Sequence, residues 1–131
     1  MDISNEIIFL GEPGCSAGVR LHYSYSVKET CTLDVLYKKT SAPMVIFVDY
    51  FYFCNHPEKL QFVSIKERLL IVYNVPVHST ISSSIALQKI KGIIYKGANN
   101  QHFEDCLKEV SRGGFWLPRK MMYEMLNYYR T

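Results

Sequence analysis

Runs of apolar, β-favouring residues recur along the chain at 6–10, 31–36, 44–48, 69–73 and 92–95. The runs at 44–48, 69–73 and 92–95 (Met-Val-Ile-Phe-Val, Leu-Leu-Ile-Val-Tyr, Gly-Ile-Ile-Tyr) are apolar without a break. Strands of that kind are covered on both faces, whereas a sheet with one wet face alternates apolar and polar residues. The segments between the runs predict crossover helices. A first helix is expected over 16–29, although Tyr23, Ser24, Tyr25 and Ser26 are poor helix formers. A short third helix is expected over 57–66, and a fourth from Ile81, Ile85 and the stretch 87–90 behind a serine-rich start that caps it. Phe103, Cys106, Leu107 and Val110 repeat at i, i+3, i+4 and i+7 with Asn99 or Asn100 as cap, a fifth helix. Only residues 37–43 separate the second and third runs, which leaves almost no room for a second helix. Strand and helix thus alternate as in an α/β, doubly wound, five-stranded parallel sheet. Right-handed crossovers, with chemistry gathered at the carboxyl ends of the strands, give the order 2-1-3-4-5.

The end of the sequence differs in kind. Gly113 and Gly114 stop the fifth helix, and Pro118 suits the first turn of an additional sixth one. On that helix Leu117, Met121, Met125 and Tyr128 form one apolar stripe, and Met122, Leu126 and Tyr129 a second. Two stripes call for two partners, the helix's own domain and something else. The stripe Met121, Met125, Tyr128 is expected to meet a second copy across a two-fold axis.

Composition narrows the possibilities. With 131 residues and 48% hydrophobic content, residues 1–131 are expected to form one domain able to bury a core without disulfides or metal. No signal-peptide core or membrane span is visible, so a cytoplasmic location is expected. The four cysteines (Cys15, Cys31, Cys54, Cys106) lack C-x-x-C or zinc spacing, which predicts free thiols. His22, His56, His78 and His102 are scattered beside polar or turn-prone residues and are explained as surface positions. A net charge of +3, with no basic run, is too weak for this domain to hold duplex DNA by itself.

The carboxyl ends of strands one, three, four and five offer Glu12, Asp49, Asn74 and Lys96. These positions resemble those of response-regulator receivers, of flavodoxin-like fold. In that family an acidic pair after the first strand binds magnesium, an aspartate after the third is phosphorylated, a Ser or Thr ends the fourth and a lysine ends the fifth. Asp49 and Lys96 match. Gly11-Glu12 supplies one carboxylate where the family has two, and Asn74 has no hydroxyl. A hard divalent cation wants several oxygen ligands, so the pocket is expected to be vestigial, with an Asp49–Lys96 ion pair, no metal and no enzymatic activity.

A second resemblance rests on Gly92-Ile-Ile-Tyr-Lys-Gly97, the helix at 103–112 and Gly114-Phe-Trp-Leu-Pro-Arg-Lys120. It is similar to the N-terminal domains of LuxR-family transcription regulators of the CsgD and VpsT type, which control biofilm matrix genes. In VpsT-like members, Trp, then Phe, Leu or Met, then Thr or Ser, then Arg binds cyclic di-GMP at the base of the sixth helix and joins two protomers. Trp116, Leu117 and Arg119 match, and Pro118 stands in the hydroxyl position. The resemblance implies a sensing and dimerising domain with cyclic di-GMP as effector and no other cofactor. DNA binding belongs to a helix-turn-helix domain not contained in this sequence. For Trp116 a core aromatic and a ligand contact remain open, and for Arg119 a surface charge and a ligand contact. Two alternatives stand beside this reading, a ligand-independent interaction module and an aspartate-phosphorylated receiver.

Overall fold

The computed structural model describes residues 3–37, 41–56, 67–79 and 90–123. Five parallel strands, β1 (Glu6–Leu10), β2 (Ser26–Thr30), β3 (Met44–Asp49), β4 (Arg68–Val75) and β5 (Ile90–Tyr95), form one sheet in the order β2-β1-β3-β4-β5. This is the doubly wound arrangement that the unbroken apolar runs require.

Alternate residues of the central strands enter two cores. One face gathers Ile8, Leu10, Ile46, Val48, Leu70 and Val72, covered by Phe53 of the short helix α1 (Tyr50–Asn55). The other gathers Phe9, Phe47, Ile71 and Tyr73 under helix α2 (Asn100–Ser111). There Phe9 stacks on Phe47 at 4.9 Å between ring centroids, and Phe103 of α2 meets Phe47 at 5.5 Å. The buried residues of α2 are Phe103, Cys106, Leu107 and Val110, the apolar row of the sequence. Its cap is Asn99, whose side chain accepts from His102 N at 3.0 Å.

Two irregularities keep the faces in phase. Across β4 and β5, Val72 pairs with Ile93 but Val75 with Tyr95, so β4 carries one extra residue, and Asn74 there has φ 60°. Leu70 pairs with Ile90 but Ile71 with Gly92, so Lys91 is the extra residue of β5. Each bulge lets residues three apart, Val72 and Val75 or Ile90 and Ile93, face the same core.

The first crossover departs from expectation. In place of a helix over 16–29, backbone turns close from Cys15 to Glu12, Ala17 to Gly14 and Val19 to Ser16, and the chain then enters β2. Gly14 and Gly18, at φ 87° and 83°, reverse the chain in the left-handed region, which a helix does not visit. The Glu29 carboxylate accepts from Gly14 N at 3.1 Å and Ser16 N at 2.9 Å, and from the Ser16 hydroxyl. Those bonds hold its pKa below the usual carboxylate value. Cys15, Val19, Leu21 and Tyr25 cover the sheet beside α2.

The second strand is Ser26–Thr30, and the apolar run at 31–36 is largely a 3-10 turn, Leu33–Leu36, with Leu33 and Val35 against the core. Arg68, buried at the start of β4, donates from Nε to Val35 O at 3.2 Å and fastens that turn. Ile90, expected to end the fourth helix, opens β5. The rest of that helix, the expected helix at 57–66 and the positions Met125, Leu126, Tyr128 and Tyr129 lie outside the described residues.

Candidate functional site

Asp49 ends β3 and caps α1, its Oδ1 accepting from Phe51 N at 3.0 Å. The bulge aims the Asn74 amide at the other oxygen, Nδ2 to Oδ2 at 3.4 Å. Gly11 packs so close that a Cβ built on it would lie 2.9 Å from the Asp49 Cβ. A second carboxylate at that position is therefore blocked by Asp49 itself. Glu12 turns away and lines a separate cleft of about 320 Å³ with Gly11, Pro13, Glu29, Thr30 and Cys31. Among the described residues no cluster of three or more His, Cys, Asp or Glu is placed to hold a metal ion. The expected Asp49–Lys96 ion pair does not form: the ion pair among the described residues joins Lys28 to Glu6. The receiver residues share one end of the sheet without meeting as a group.

What fills that end is the first crossover. The Tyr73 hydroxyl donates to Cys15 O at 2.9 Å. Burial pushes the Tyr73 phenol and the Cys15 thiol above their ordinary pKa values, so both stay protonated at neutral pH. Cys15 and Tyr73 line a polar cleft of about 270 Å³ with Asn74, Lys96 and Asn100.

Next to it lies a more apolar cleft of about 380 Å³, lined by Ile93 to Ala98, His102, Trp116, Leu117 and Pro118. It is built by one short segment. After α2 the chain turns at Gly113 and runs beside β5, where Trp116 N donates to Lys91 O and Ile93 N to Trp116 O, both at 2.8 Å. Gly92 makes this possible, because a Cβ there would meet Trp116 O at 3.2 Å. Trp116 then packs on the α2 side of the sheet and Leu117 on the other. Trp116 is half-buried against the core and also lines the cleft.

Pro118 immediately precedes a helix that runs from 119 to the end of the described residues at 123, and its carbonyl accepts from Met122 N at 2.9 Å. Arg119 is exposed at the first helical position and is not part of the cleft wall. Met121, expected to face a partner, packs instead with Leu117 against the domain's own core, whereas Tyr123 is 67% exposed. Met125 and Tyr128, the rest of that expected contact, lie outside the described residues.

No family model matches the chain, and no curated protein matches its sequence. The crystal structure of the regulatory domain of the master biofilm regulator CsgD superposes with a TM-score of 0.66 over 93% of this chain and 98% of that one, at 12% identity. The fold is that of a receiver-like domain. Within that fold Asp49 caps α1 and Lys96 lines both clefts. No described helix is long and apolar enough to cross a membrane.

Sequence reasoning missed His102, Tyr95 and Cys15 as parts of this end of the molecule. His102 was legible, since it stands three residues after Asn99 at the spacing of a capping box. Cys15 was not, because its placement depends on a loop that has no periodic signal.

Proposed function

We propose that this chain is the sensing and dimerising domain of a transcription regulator of the CsgD type, and that it reads cyclic di-GMP at the base of its C-terminal helix. The observation that carries this reading is the Trp116 segment. It is fixed to the β5 edge by two backbone hydrogen bonds, walls a cleft, and leads without slack into the helix at 119. Arg119 and Lys120 occupy the first helical positions, where cations oppose the helix dipole. A phosphate bound there relieves that opposition, and the guanidinium can also take guanine O6 and N7 as a fork. A cleft of about 380 Å³ suits one nucleotide unit of the dinucleotide, leaving the other for a second protomer.

With Met121 docked on its own core, the exposed Tyr123 is the described part of this helix open to a second protomer, and the proposed contact continues at Met125 and Tyr128. Phosphorylation of Asp49 is disfavoured in this reading, because both of its oxygens are engaged and Gly11 leaves no room for a second carboxylate. The exposed Tyr123, combined with the missing hydroxyl at Pro118, supports a second reading, a ligand-independent interaction module. Sedimentation velocity with and without cyclic di-GMP separates the two. The nucleotide is expected to shift wild type to a dimer and to leave Arg119→Ala unchanged. A dimer of equal strength in both proteins, with and without nucleotide, supports the interaction module.

A further inference from the structure

We infer that Lys96 and His102 are the phosphate-holding side of the cleft, and that Trp116 is its wall for the base. This deepens the cyclic di-GMP reading, on which it rests, by assigning two residues of the cleft that lie outside the 116–119 segment.

Lys96 follows β5 directly, its backbone N–H donating to Val75 O at 2.8 Å. Its ammonium makes no hydrogen bond or ion pair among the described residues, Asp49 being engaged by Phe51 N and Asn74. Lys96 belongs to both adjoining clefts, and neither is lined by a carboxylate. Among the described residues no carboxylate pairs with it, and an anion entering either cleft meets it at short range.

His102 is oriented by the start of α2. Asn99 N donates to its Nδ1 at 3.3 Å, while His102 N donates to Asn99 Oδ1 at 3.0 Å. With Nδ1 committed as acceptor, the neutral ring carries its proton on Nε2, a donor held ready for a ligand oxygen. Trp116, in the lining of the same cleft, is held by its two backbone bonds to β5. A cation, an oriented N–H donor and a fixed aromatic face within one cleft of about 380 Å³ fit a phosphate joined to a flat base, the chemistry of a nucleotide.

The test is calorimetric titration of the full chain with cyclic di-GMP, comparing wild type with Lys96→Met, Lys96→Arg and His102→Glu. Glu at position 102 keeps an acceptor for the Asn99 N–H, so the capping box stands while its charge repels phosphate. Lys96→Met and His102→Glu are each expected to weaken binding roughly tenfold or more, as loss of a charge-assisted contact does. Lys96→Arg is expected to stay within a few fold of wild type, and the urea midpoint of His102→Glu to stay unchanged. Wild-type affinity in both Lys96→Met and His102→Glu overturns the assignment and leaves the sensor reading in place. Absence of binding by wild type overturns both.

Discussion

Gly92→Ala is the substitution that loads the structure most directly at the proposed site. The added methyl meets Trp116 O at 3.2 Å, Cys106 Sγ at 3.3 Å and Ile71 Cγ2 at 3.3 Å. Two of these neighbours are core atoms with little freedom, so the compliant one is the Trp116 segment, which moves outward and strains its bonds to Lys91 and Ile93. Losing both bonds costs about 1 kcal/mol each, and residual crowding adds about 1 kcal/mol. Alanine returns about 0.4–1 kcal/mol by restricting the unfolded chain. The net expectation is a destabilisation of about 2–3 kcal/mol, read as a lower urea midpoint at unchanged slope. Trp116 is the one tryptophan of the sequence, so its fluorescence reports the displacement without labelling, as a red shift in the folded protein. Unchanged midpoint and emission in Gly92→Ala would mean that the segment is not held against β5 by close backbone approach.

Three further outcomes follow from the site and the core. Asp49→Ala is expected to cost about 1 kcal/mol in urea denaturation through loss of the α1 cap. Mass spectrometry after acetyl phosphate and magnesium should show no phosphoryl gain on wild type, and a gain that disappears in Asp49→Ala sinks the vestigial assignment. Burial holds the Cys106 thiol above its ordinary value of 9.0, so the folded protein keeps a proton there that the unfolded chain releases. Stability is thus unaffected at neutral pH and falls as pH rises through about 9, and Cys106→Ala should flatten that decline in paired melts. With iodoacetamide at neutral pH, the exposed Cys31 and Cys54 should alkylate before Cys15 and Cys106, and rapid modification of Cys106 would contradict its burial.

The sheet was legible because β3, β4 and β5 lie between neighbours or beneath covering segments, and burial on both faces writes unbroken apolar runs such as Met-Val-Ile-Phe-Val. The same physics hid β2. As an edge strand exposed along most of its length, Ser26-Val-Lys-Glu-Thr30 carries no apolar pattern, while the neighbouring run at 31–36 owes its Leu33 and Val35 to packing of a 3-10 turn. A helix over 16–29 was the default crossover of a βαβ unit. Gly14 and Gly18 overrule it, together with the long-range bonds of Arg20 N to Asn100 and His22 N to Glu104. Asp49 and Lys96 were placed at the ends of their strands, but the bulge at Asn74, whose amide bonds Asp49 in place of an ion pair, is announced by no periodicity. The two apolar stripes of the last helix were visible, and at Met121 the one expected to meet a partner is turned to the domain's own core, because the segment at 116–118 fixes how the helix starts.

Binding of cyclic di-GMP at the Trp116 segment is measured by titrating the nucleotide while following Trp116 fluorescence. A saturable change is expected in wild type, with a stoichiometry of one binding unit per protomer, and none in Arg119→Ala at equal fold stability. An emission spectrum of wild type that stays constant throughout the titration, or an equal response in Arg119→Ala, would contradict binding at this segment.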